Sequence, residues 1–393
     1  IKLSVLLNKV RRIYYFCIVI YIEFNTITMQ KEGKTKQEQI LFNFEIEGNP
    51  VEIVPLGNGL INDTYKVNMP EGAPHDYVLQ RINHHIFTDV ELLQHNIEVV
   101  TRHIRKKLEA AGEQDIDRKV LHFVQTKDGK TYHKTPEGEF WRVSVYIPRT
   151  QTYSQVTPQN AYDCGRTFGR FESMLSDVDE ELGETIPDFH NMELRIRQLR
   201  EAVKADAAGR LNEVQPLVDK IEEHAEAMCL GERLYREGKL PKHLCHCDTK
   251  VNNMLFDENG QVLCVIDLDT VMPSFVFSDY GDFLRTAANV VQEDDPDVSK
   301  VALHWDVIES FTKGYVEGTK SFLTERERDL LPYAMRLFPY MQCVRFLADY
   351  LNGDTYFKTT HATHNLERAR NQWRLFELTL AGNDRLAQYI KTL

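Results

Sequence analysis

Two hydrophobic periodicities divide the chain near residue 150. Before that point, short apolar runs alternate with polar residues or end at glycine-containing turns, which is typical of β-strands. One stretch, residues 89–108, instead places apolar side chains three or four positions apart, as a helix does. From Gln159 onward the spacing is mainly helical, with one short hairpin near residue 260. The pattern predicts an α+β protein with two lobes. The amino-terminal lobe is small and β-rich with one main helix, and the carboxy-terminal lobe is large, mainly helical and carries the hairpin.

The pattern also predicts where these lobes begin and end. Residues 44–148 form the amino-terminal lobe, and residues 149–393 form the carboxy-terminal lobe. Residues 29–43 are polar, and we expect them to be disordered or loosely held. Residues 1–28 contain an apolar run far shorter than the roughly 20 residues that a membrane helix needs. We expect them to be a non-native start extension before Met29, and a signal anchor is the alternative reading.

Composition restricts the partners that the protein can have. The chain of 393 residues is 42% hydrophobic, which is enough for a sizeable core, and its net charge is −12. An acidic protein of this kind is a poor partner for nucleic acid or an anionic membrane, so we expect neither. The seven cysteines follow no disulfide-framework spacing, which favours a reducing, cytoplasmic location. The cysteines and histidines within 243–247 lack a second ligand pair, so the sequence argues against a zinc site there.

The chemistry is concentrated in the stretch HCDTKVNN, residues 246–253, and in VIDLD, residues 265–269. Between them the sequence predicts a hairpin with its turn at 257–260. If the pairing is centred near Gly260, Asn253 lies opposite Asp267 at the open end of the hairpin. An amide oxygen and a carboxylate that converge in this way suit Mg²⁺ bound to a phosphate.

Two further side chains complete the requirements of phosphoryl transfer. Asp248 can accept a hydrogen bond from a substrate hydroxyl and act as the catalytic base, and Lys250 can offset the charge of the transferred group. We expect His246 to brace the loop by hydrogen bonds rather than to take part in the reaction. For Asp269 the sequence leaves two roles open, a second metal ligand or the cap of the following turn.

These segments carry a family resemblance. HCDTKVNN matches the kinase catalytic-loop pattern His-x-Asp-x-Lys-x-x-Asn, with Cys247 where kinases have arginine. The chain resembles the aminoglycoside phosphotransferase and choline kinase superfamily, whose fold is protein-kinase-like, and within it the N-acetylhexosamine 1-kinase group. The segments that carry this likeness are GNGLINDTYKV, YVLQRIN, HCDTKVNNMLF, VIDLDTVMP, DYGDFLR and RFLADYLNGDTYFK, which span residues 57–358.

The resemblance implies ATP and Mg²⁺ as cofactors. It makes 44–148 the nucleotide-binding lobe and 149–393 the catalytic and substrate-binding lobe, and it assigns roles residue by residue. Asp248 would be the base, Asn253 and Asp267 the metal ligands, and Asp282 would anchor the loop through backbone amides. Gly57 and Gly59 would approach the ATP phosphates, and the connector Val145, Tyr146 and Ile147 would hold the adenine. Arg345 and Tyr356 would contact the sugar. The strand lysine of most kinases is absent, and Gln80 or Arg81 stands in its place, only one of which can face the nucleotide because strand neighbours alternate.

The activity implied is phosphorylation of the anomeric hydroxyl of a small-molecule sugar, N-acetylglucosamine or N-acetylgalactosamine, to the 1-phosphate. One alternative is a kinase for another small hydroxyl compound, such as an aminoglycoside, choline or homoserine. Another is a non-catalytic ATP-binding pseudokinase, against which the complete set of base and metal ligands argues. The oligomeric state and the preferred epimer are not encoded in any pattern that we recognise.

Overall fold

The structure is a computed structural model that describes residues 35–57 and 61–393. The expectations for 1–28 and for Gly59 fall outside these residues. By Cα packing the chain divides into two compact units. One comprises 123–146 and the described residues up to 84, and the other comprises 85–122 and 147–393. The helix predicted at 89–108 therefore groups with the second unit, whereas the predicted lobe of 44–148 included it. The lobe boundaries themselves stay a prediction.

The first unit is built on an antiparallel sheet with the strand order β1-β2-β3-β6-β4, and β5 pairs with β6. The strands are β1 (Glu52–Pro55), β2 (Asp63–Asn68), β3 (Tyr77–Ile82), β4 (Phe123–Val124), β5 (His133–Lys134) and β6 (Phe140–Val145). Alternation along β3 sends Tyr77 and Leu79 into the core of this unit, where Leu79 is completely buried. The mainly antiparallel, half-buried strands agree with the alternating pattern of the sequence.

Helix α1 (Lys36–Leu41) covers that core and begins at a capping box. Thr35 accepts a hydrogen bond from the backbone of Glu38, whose side chain accepts one from the Thr35 backbone. Ile40 and Leu41 then pack into the same apolar cluster as Leu79. This differs from the expectation of a loosely held segment over 29–43, because two buried side chains tie the described end of that segment to the sheet.

The second unit is mainly helical, which confirms the predicted α+β class. Its helices are α2 (Val90–Ala110), α3 (Pro158–Leu175), α4 (Met192–Ala205), α5 (Leu211–Met228), α6 (Leu230–Arg236), α7 (Phe277–Ala287), α8 (Trp305–Thr319), α9 (Glu325–Asp329), α10 (Leu331–Leu351), α11 (His364–Ala381) and α12 (Asn383–Ile390). Two small antiparallel pairs lie among them. The pair β8 (Met254–Phe256) and β9 (Val262–Val265) is the predicted hairpin, and the pair β7 (His243–Cys245) and β10 (Met272–Ser274) was not predicted.

Helices α3 and α8 pack backbone against backbone through glycines. A Cβ added at Gly165 would lie 2.3 Å from the carbonyl oxygen of Phe311, and one added at Gly314 would lie 2.1 Å from that of Tyr162. Both distances are far inside van der Waals contact. The glycines are therefore required by the close approach of helices α3 and α8.

Six cysteines fall within the described residues, and none of these forms a disulfide, in agreement with the sequence. All but Cys229 are buried. Burial raises the pKa of the Cys264 thiol to about 12 and that of the half-buried Cys229 to about 11. Of the helices that the structure describes, none combines the length and the apolar character needed to cross a membrane.

Replacement of Gly314 by alanine should destabilise the protein by about 3 kcal/mol, because the new methyl group meets backbone atoms that cannot rotate away. Thermal and urea unfolding measure this. The matched control is Gly231→Ala in α6, where the added Cβ meets only side-chain atoms at 3.6 Å or more. That variant should be neutral or more stable by up to about 1 kcal/mol. Equal losses in the two variants would contradict the close-packing interpretation.

Candidate functional site

The loop at residues 246–253, called the central loop below, is held by the carboxylate of Asp279 on α7. Oδ2 of Asp279 accepts the backbone N–H of His246 at 2.7 Å, and Oδ1 accepts that of Cys247 at 2.7 Å. Thr249 donates its hydroxyl to the backbone oxygen of Asp279 at 2.7 Å. Cys247 adopts a left-handed backbone with φ of 63°, which is unfavourable for a side chain with a Cβ. The two charge-assisted hydrogen bonds offset that cost and fix the turn.

His246 braces the same loop, as predicted. It is completely buried, and its Nε2 lies 2.9 Å from the carbonyl oxygen of Ile266 while its Nδ1 accepts the backbone N–H of Asp248 at 3.3 Å. This pattern fits the neutral tautomer with its proton on Nε2. The rings of Phe168 and Phe171 on α3 enclose the imidazole. His246 thus links the central loop to the end of β9 and to α3.

Asp248 lies at the centre of a short hydrogen-bond network. The ammonium of Lys250 lies 2.7 Å from its Oδ1 and 3.0 Å from its Oδ2. The amide nitrogen of Asn253 donates to the backbone oxygen of Asp248 at 2.7 Å and to its Oδ2 at 3.1 Å. Because the Asn253 nitrogen is engaged in this way, its amide oxygen points away from Asp248. The three residues that the sequence singled out in this loop are therefore brought together.

The predicted pairing of Asn253 with Asp267 is wrong by one residue. In the structure Met254 pairs with Val265, and the backbone N–H of Ile266 donates to the backbone oxygen of Asn253 at 3.0 Å. The register shifts between Leu255 and Phe256, so the two strands contribute unequal numbers of residues and the symmetric count from Gly260 fails. Asp267 still follows directly, with φ of 60° at the start of a short 3₁₀ turn.

The electrostatics of the central loop favour a bound cation. Burial lowers the pKa of Lys250, but the carboxylates of Asp248, Asp282 and Asp267 together raise it above its ordinary value. One ammonium thus lies among three carboxylates. This set of hard oxygen donors, with the Asn253 amide oxygen beside it, fits a divalent ion such as Mg²⁺ carrying a phosphate. Asn253 and Asp267 remain the proposed ligands.

Asp282 does not anchor the loop, which corrects the expectation from the sequence. The loop amides bind Asp279, one helical turn earlier on α7, and Asp282 accepts hydrogen bonds from Arg285 at 3.1 Å. Arg285 in turn donates to Glu293 at 2.7 Å. Burial raises the pKa of Asp282, and nearby Asp248 raises it further, whereas Arg285 and Lys250 oppose this. Asp282 therefore faces the central loop as a charged neighbour.

An aromatic and cationic cluster lies beside this group. The guanidinium carbon of Arg345 on α10 lies 5.4–5.8 Å from the ring centroids of Phe189, Tyr356 and Phe357. Arg345 also donates to Gln342 at 3.1 Å. Burial lowers the pKa of Arg345, and Arg285 lowers it further while Asp282 raises it. Arg345 and Tyr356, predicted as a pair, are thus together and within electrostatic reach of Asp282.

Several members of this cluster carried no signal in the sequence. Arg195 of α4 donates to the backbone oxygens of Asp188 and Phe189, and His190 stacks on Phe189 at 4.4 Å. Burial lowers the pKa of His190 well below its ordinary value, with Arg345 and Arg195 acting in the same direction, so the imidazole is neutral. These residues come from a segment 150 or more positions before Arg345. Only the tertiary fold brings them together.

The loop that carries Tyr356 and Phe357 is fixed by one carboxylate. Asp349 near the end of α10 accepts backbone N–H groups from Thr355 at 2.9 Å, Tyr356 at 2.8 Å and Phe357 at 3.0 Å. The amide of Asn365 donates to the same carboxylate at 2.9 Å. Asp349 is only 5% exposed. A buried anion with four donors gives the loop a defined conformation beside Arg345.

Within the first unit, the two candidates for the missing strand lysine lie on opposite faces of β3. Gln80 donates to Thr64 at 3.1 Å and accepts from Arg142 at 3.0 Å. Arg81 lies on the face of Tyr77 and Leu79 and forms an ion pair with Asp63 at 2.5 Å. Gln80 is therefore the residue that faces away from the apolar core of this unit.

The remaining residues that were predicted to contact ATP lie at or near the ends of strands. Gly57 follows β1 with φ of 70°, a left-handed conformation that glycine adopts without strain. Val145 ends β6, and the Tyr146 N–H donates to the Asp76 oxygen at 2.9 Å. Lys66 lies 4.5 Å from the centroid of the Tyr146 ring. Ile147 begins the next segment of the second unit and is buried. Their contact with adenine or phosphates stays a prediction.

Comparison with known proteins agrees with this arrangement. Residues 52–306, well over half of the chain, match the APH phosphotransferase enzyme family. The chain belongs to this family, and the resemblance seen in the sequence is confirmed at that level.

Solved structures share the fold at low sequence identity. An aminoglycoside phosphotransferase from Alicyclobacillus acidocaldarius has a TM-score of 0.59 at 13% identity, over 92% of this chain and 97% of its own. The amicoumacin kinase hAmiN, in complex with AMP-PNP, Ca²⁺ and amicoumacin, has a TM-score of 0.57 at 14% identity, over 90% and 96%. A microcompartment-associated aminopropanol kinase has a TM-score of 0.51 at 15% identity, over 89% and 98%.

Replacement of Asp349 by asparagine should loosen the loop at 353–358, because the new NH₂ group cannot accept from Phe357 or Asn365. A hydrogen bond to a charged group contributes about 1.5–3 kcal/mol, so hydrogen exchange of these loop amides should accelerate at least about tenfold. The control is Asp219→Asn on the exposed face of α5, which should leave the loop unchanged. Unaltered exchange in Asp349→Asn would remove Asp349 from this role.

Proposed function

We propose that this protein transfers the γ-phosphate of ATP, with Mg²⁺, to the anomeric hydroxyl of N-acetylglucosamine or N-acetylgalactosamine. The observation that carries the proposal is the grouping of Asp248, Lys250 and Asn253 in one loop with Asp267 directly after the hairpin. Membership of the phosphotransferase family supports phosphoryl transfer to a small hydroxyl compound. The sugar specificity rests on the resemblance described above and on the character of the Arg345 cluster. A cytoplasmic enzyme is the matching expectation.

In this mechanism each side chain acts by position and charge. Asp248 accepts a hydrogen bond from the sugar hydroxyl and orients its oxygen toward the γ-phosphorus. Lys250 neutralises charge on the transferred phosphoryl group. Asn253 and Asp267 would hold Mg²⁺, which screens the phosphate oxygens and aligns them. The anomeric hydroxyl is more acidic than an ordinary alcohol, which lowers the demand on Asp248 as a base.

The charge of the acceptor side favours a neutral sugar over the cationic alternatives. Arg345 is flanked by Arg195 and Arg285, which both act on the neighbouring His190. An aminoglycoside or choline would bring further positive charge toward these guanidinium groups, which costs energy in a partly buried site. A sugar instead offers hydroxyl and carbonyl oxygens to the arginines and an apolar ring face to Tyr356 or Phe357. The fold relatives that act on an aminoglycoside or on aminopropanol define the competing substrate classes.

A product assay tests the substrate directly. Purified protein with Mg-ATP is offered free N-acetylhexosamines, unmodified hexoses, an aminoglycoside, choline and homoserine, and products are read by mass spectrometry and phosphorus NMR. We expect a hexosamine phosphate whose phosphorus couples to the anomeric proton, and the panel ranks the two epimers. Preferred phosphorylation of choline, homoserine or an aminoglycoside would replace the sugar assignment. ATP binding without any product would support a sensor protein instead.

Replacement of Asp248 by asparagine should lower kcat by about 10²–10⁴-fold and leave ATP affinity nearly unchanged, because a base is lost but the loop geometry is kept. Steady-state kinetics and ATP titration measure the two effects. The control is Glu258→Gln in the exposed turn of the same hairpin, which should behave as the unmodified protein. Near-normal turnover in Asp248→Asn would exclude Asp248 as the base.

Replacement of Arg345 by glutamine should raise KM for the acceptor about tenfold or more and leave KM for ATP within twofold, because a charge-assisted hydrogen bond contributes about 1.5–3 kcal/mol. Arg336→Gln is the matched control, since Arg336 is a half-buried arginine on the same helix that donates to Asn383. A parallel rise in both KM values would show that Arg345 supports the fold rather than the acceptor.

A further inference from the structure

A closed polar cluster lies directly behind the central loop. It consists of Glu172 on α3, Tyr315 on α8, Asp279 on α7 and Cys245 at the end of β7, and none of these side chains is more than 1% exposed. Ligand-type atoms of Glu172, Cys245 and Asp279 lie within 4.8 Å of one another. Two buried carboxyl groups this close cannot both be ionised without a large cost. The hydrogen bonds identify which one keeps its proton.

Asp279 has the partners of a carboxylate. Its two oxygens each accept a backbone N–H from the central loop, at 2.7 Å from His246 and 2.7 Å from Cys247. Two N–H donors of this kind each need an acceptor oxygen, and an ionised carboxylate accepts both hydrogen bonds more strongly than a protonated carboxyl group does. Burial raises the pKa of Asp279, but the hydrogen bonds from the two loop amides and from Glu172 oppose that shift. The negative charge of the cluster therefore belongs to Asp279.

Glu172 has the partners of a neutral acid. Its Oε2 accepts the hydroxyl of Tyr315 at 2.7 Å, whereas its Oε1 is buried and makes no hydrogen bond of ordinary geometry. The one other donor that acts on this carboxyl group is the weak thiol donor of Cys245. A buried carboxylate oxygen without a strong donor is unfavourable, because the charge has lost its hydration. A proton on Glu172 removes that cost, because the carboxyl group then donates to the Asp279 carboxylate, with which it forms a side-chain hydrogen bond. Burial raises the pKa of Glu172 well above its ordinary value, and Asp279 raises it further.

We propose that Glu172 is a positioning residue that stays protonated and donates a hydrogen bond to Asp279, and that it fixes the central loop through Asp279. This inference goes beyond the proposed function. It holds for any acceptor, because the central loop carries Asp248 and Asn253 whichever compound is phosphorylated. The alternative occupant of the cluster is a metal ion held by Glu172, Cys245 and Asp279. The donors already aimed into the cluster, Tyr315 and the two loop amides, disfavour a cation there.

The proposal predicts how stability depends on pH. The folded protein holds the Glu172 proton up to its raised pKa, whereas the unfolded chain releases it near the ordinary value of 4.5. Between these two values the folded state binds one proton more, so the contribution of Glu172 to stability is complete below about pH 4.5 and is lost as pH rises. The groups that face Glu172 are Asp279, Tyr315 and Cys245. Burial raises the pKa of both Tyr315 and Cys245, so those two stay neutral over this range.

The test compares Glu172→Gln with the unmodified protein. Glutamine offers an N–H donor in place of the protonated carboxyl group, so the Tm of this variant relative to the unmodified protein should rise by about 2 °C for each pH unit from about pH 5 up to the raised pKa of Glu172. The variant should keep kcat within about twofold at pH 7. Infrared spectroscopy at pH 7 should also show a protonated carboxyl band in the unmodified protein that is absent from Glu172→Gln.

The matched control is Glu317→Gln. Glu317 on α8 accepts the hydroxyl of Tyr162 on α3 at 2.6 Å, so it joins the same two helices through the same pair of residue types, but at the surface. Its Tm difference should not vary with pH. A Glu172→Gln variant that is destabilised equally at every pH, or that loses a bound metal by elemental analysis, would overturn the proposal. The stability and infrared readouts need no substrate, so they stand even if the sugar assignment fails.

Discussion

The two hydrogen bonds from the central loop to Asp279 are the constraint on which the site depends. They hold Cys247 in a left-handed conformation that the chain would otherwise avoid, and this turn sets the direction of every residue that follows it. Asp248 and Asn253 come next in that order, so their mutual hydrogen bond is a consequence of where the turn is fixed. The positions of the proposed base and of the proposed metal ligand thus depend on backbone geometry at His246 and Cys247.

Charge is distributed unevenly around that loop, in a way that suits the proposed phosphoryl transfer. Carboxylates surround Lys250 on the side of Asp267, where a cation is expected, whereas arginines dominate around Arg345, where an oxygen-rich acceptor is expected. Asp282 lies between the two regions and influences both Lys250 and Arg345. A change at Asp282 would therefore alter the electrostatics around the proposed base and around the proposed acceptor residues together, although the side-chain hydrogen bond of Asp282 is with Arg285.

The sequence predicted the parts of this molecule that depend on local order. The strands of the first unit, the hairpin and the grouping of Asp248 with Lys250 and Asn253 follow from residues close in the chain. The incorrect predictions also have physical causes. A bulge at the end of β8 moved the register by one residue, which no count from the turn can reveal. The choice between Asp279 and Asp282 as anchor is a matter of one helical turn, and the segment that carries Phe189 and Arg195 reaches Arg345 only through the tertiary fold.

The burial of the thiols has a practical consequence. Because the folded protein keeps nearly all of its described cysteines buried and their pKa values raised, thiol-reactive reagents in neutral solution can modify them only when a local element opens. Each thiol then reports on a different part of the second unit: Cys245 on the end of β7, Cys247 on the central loop, Cys264 on the hairpin, and Cys343 on the middle of α10. Modification of the individual thiols can therefore report the order in which these elements unfold.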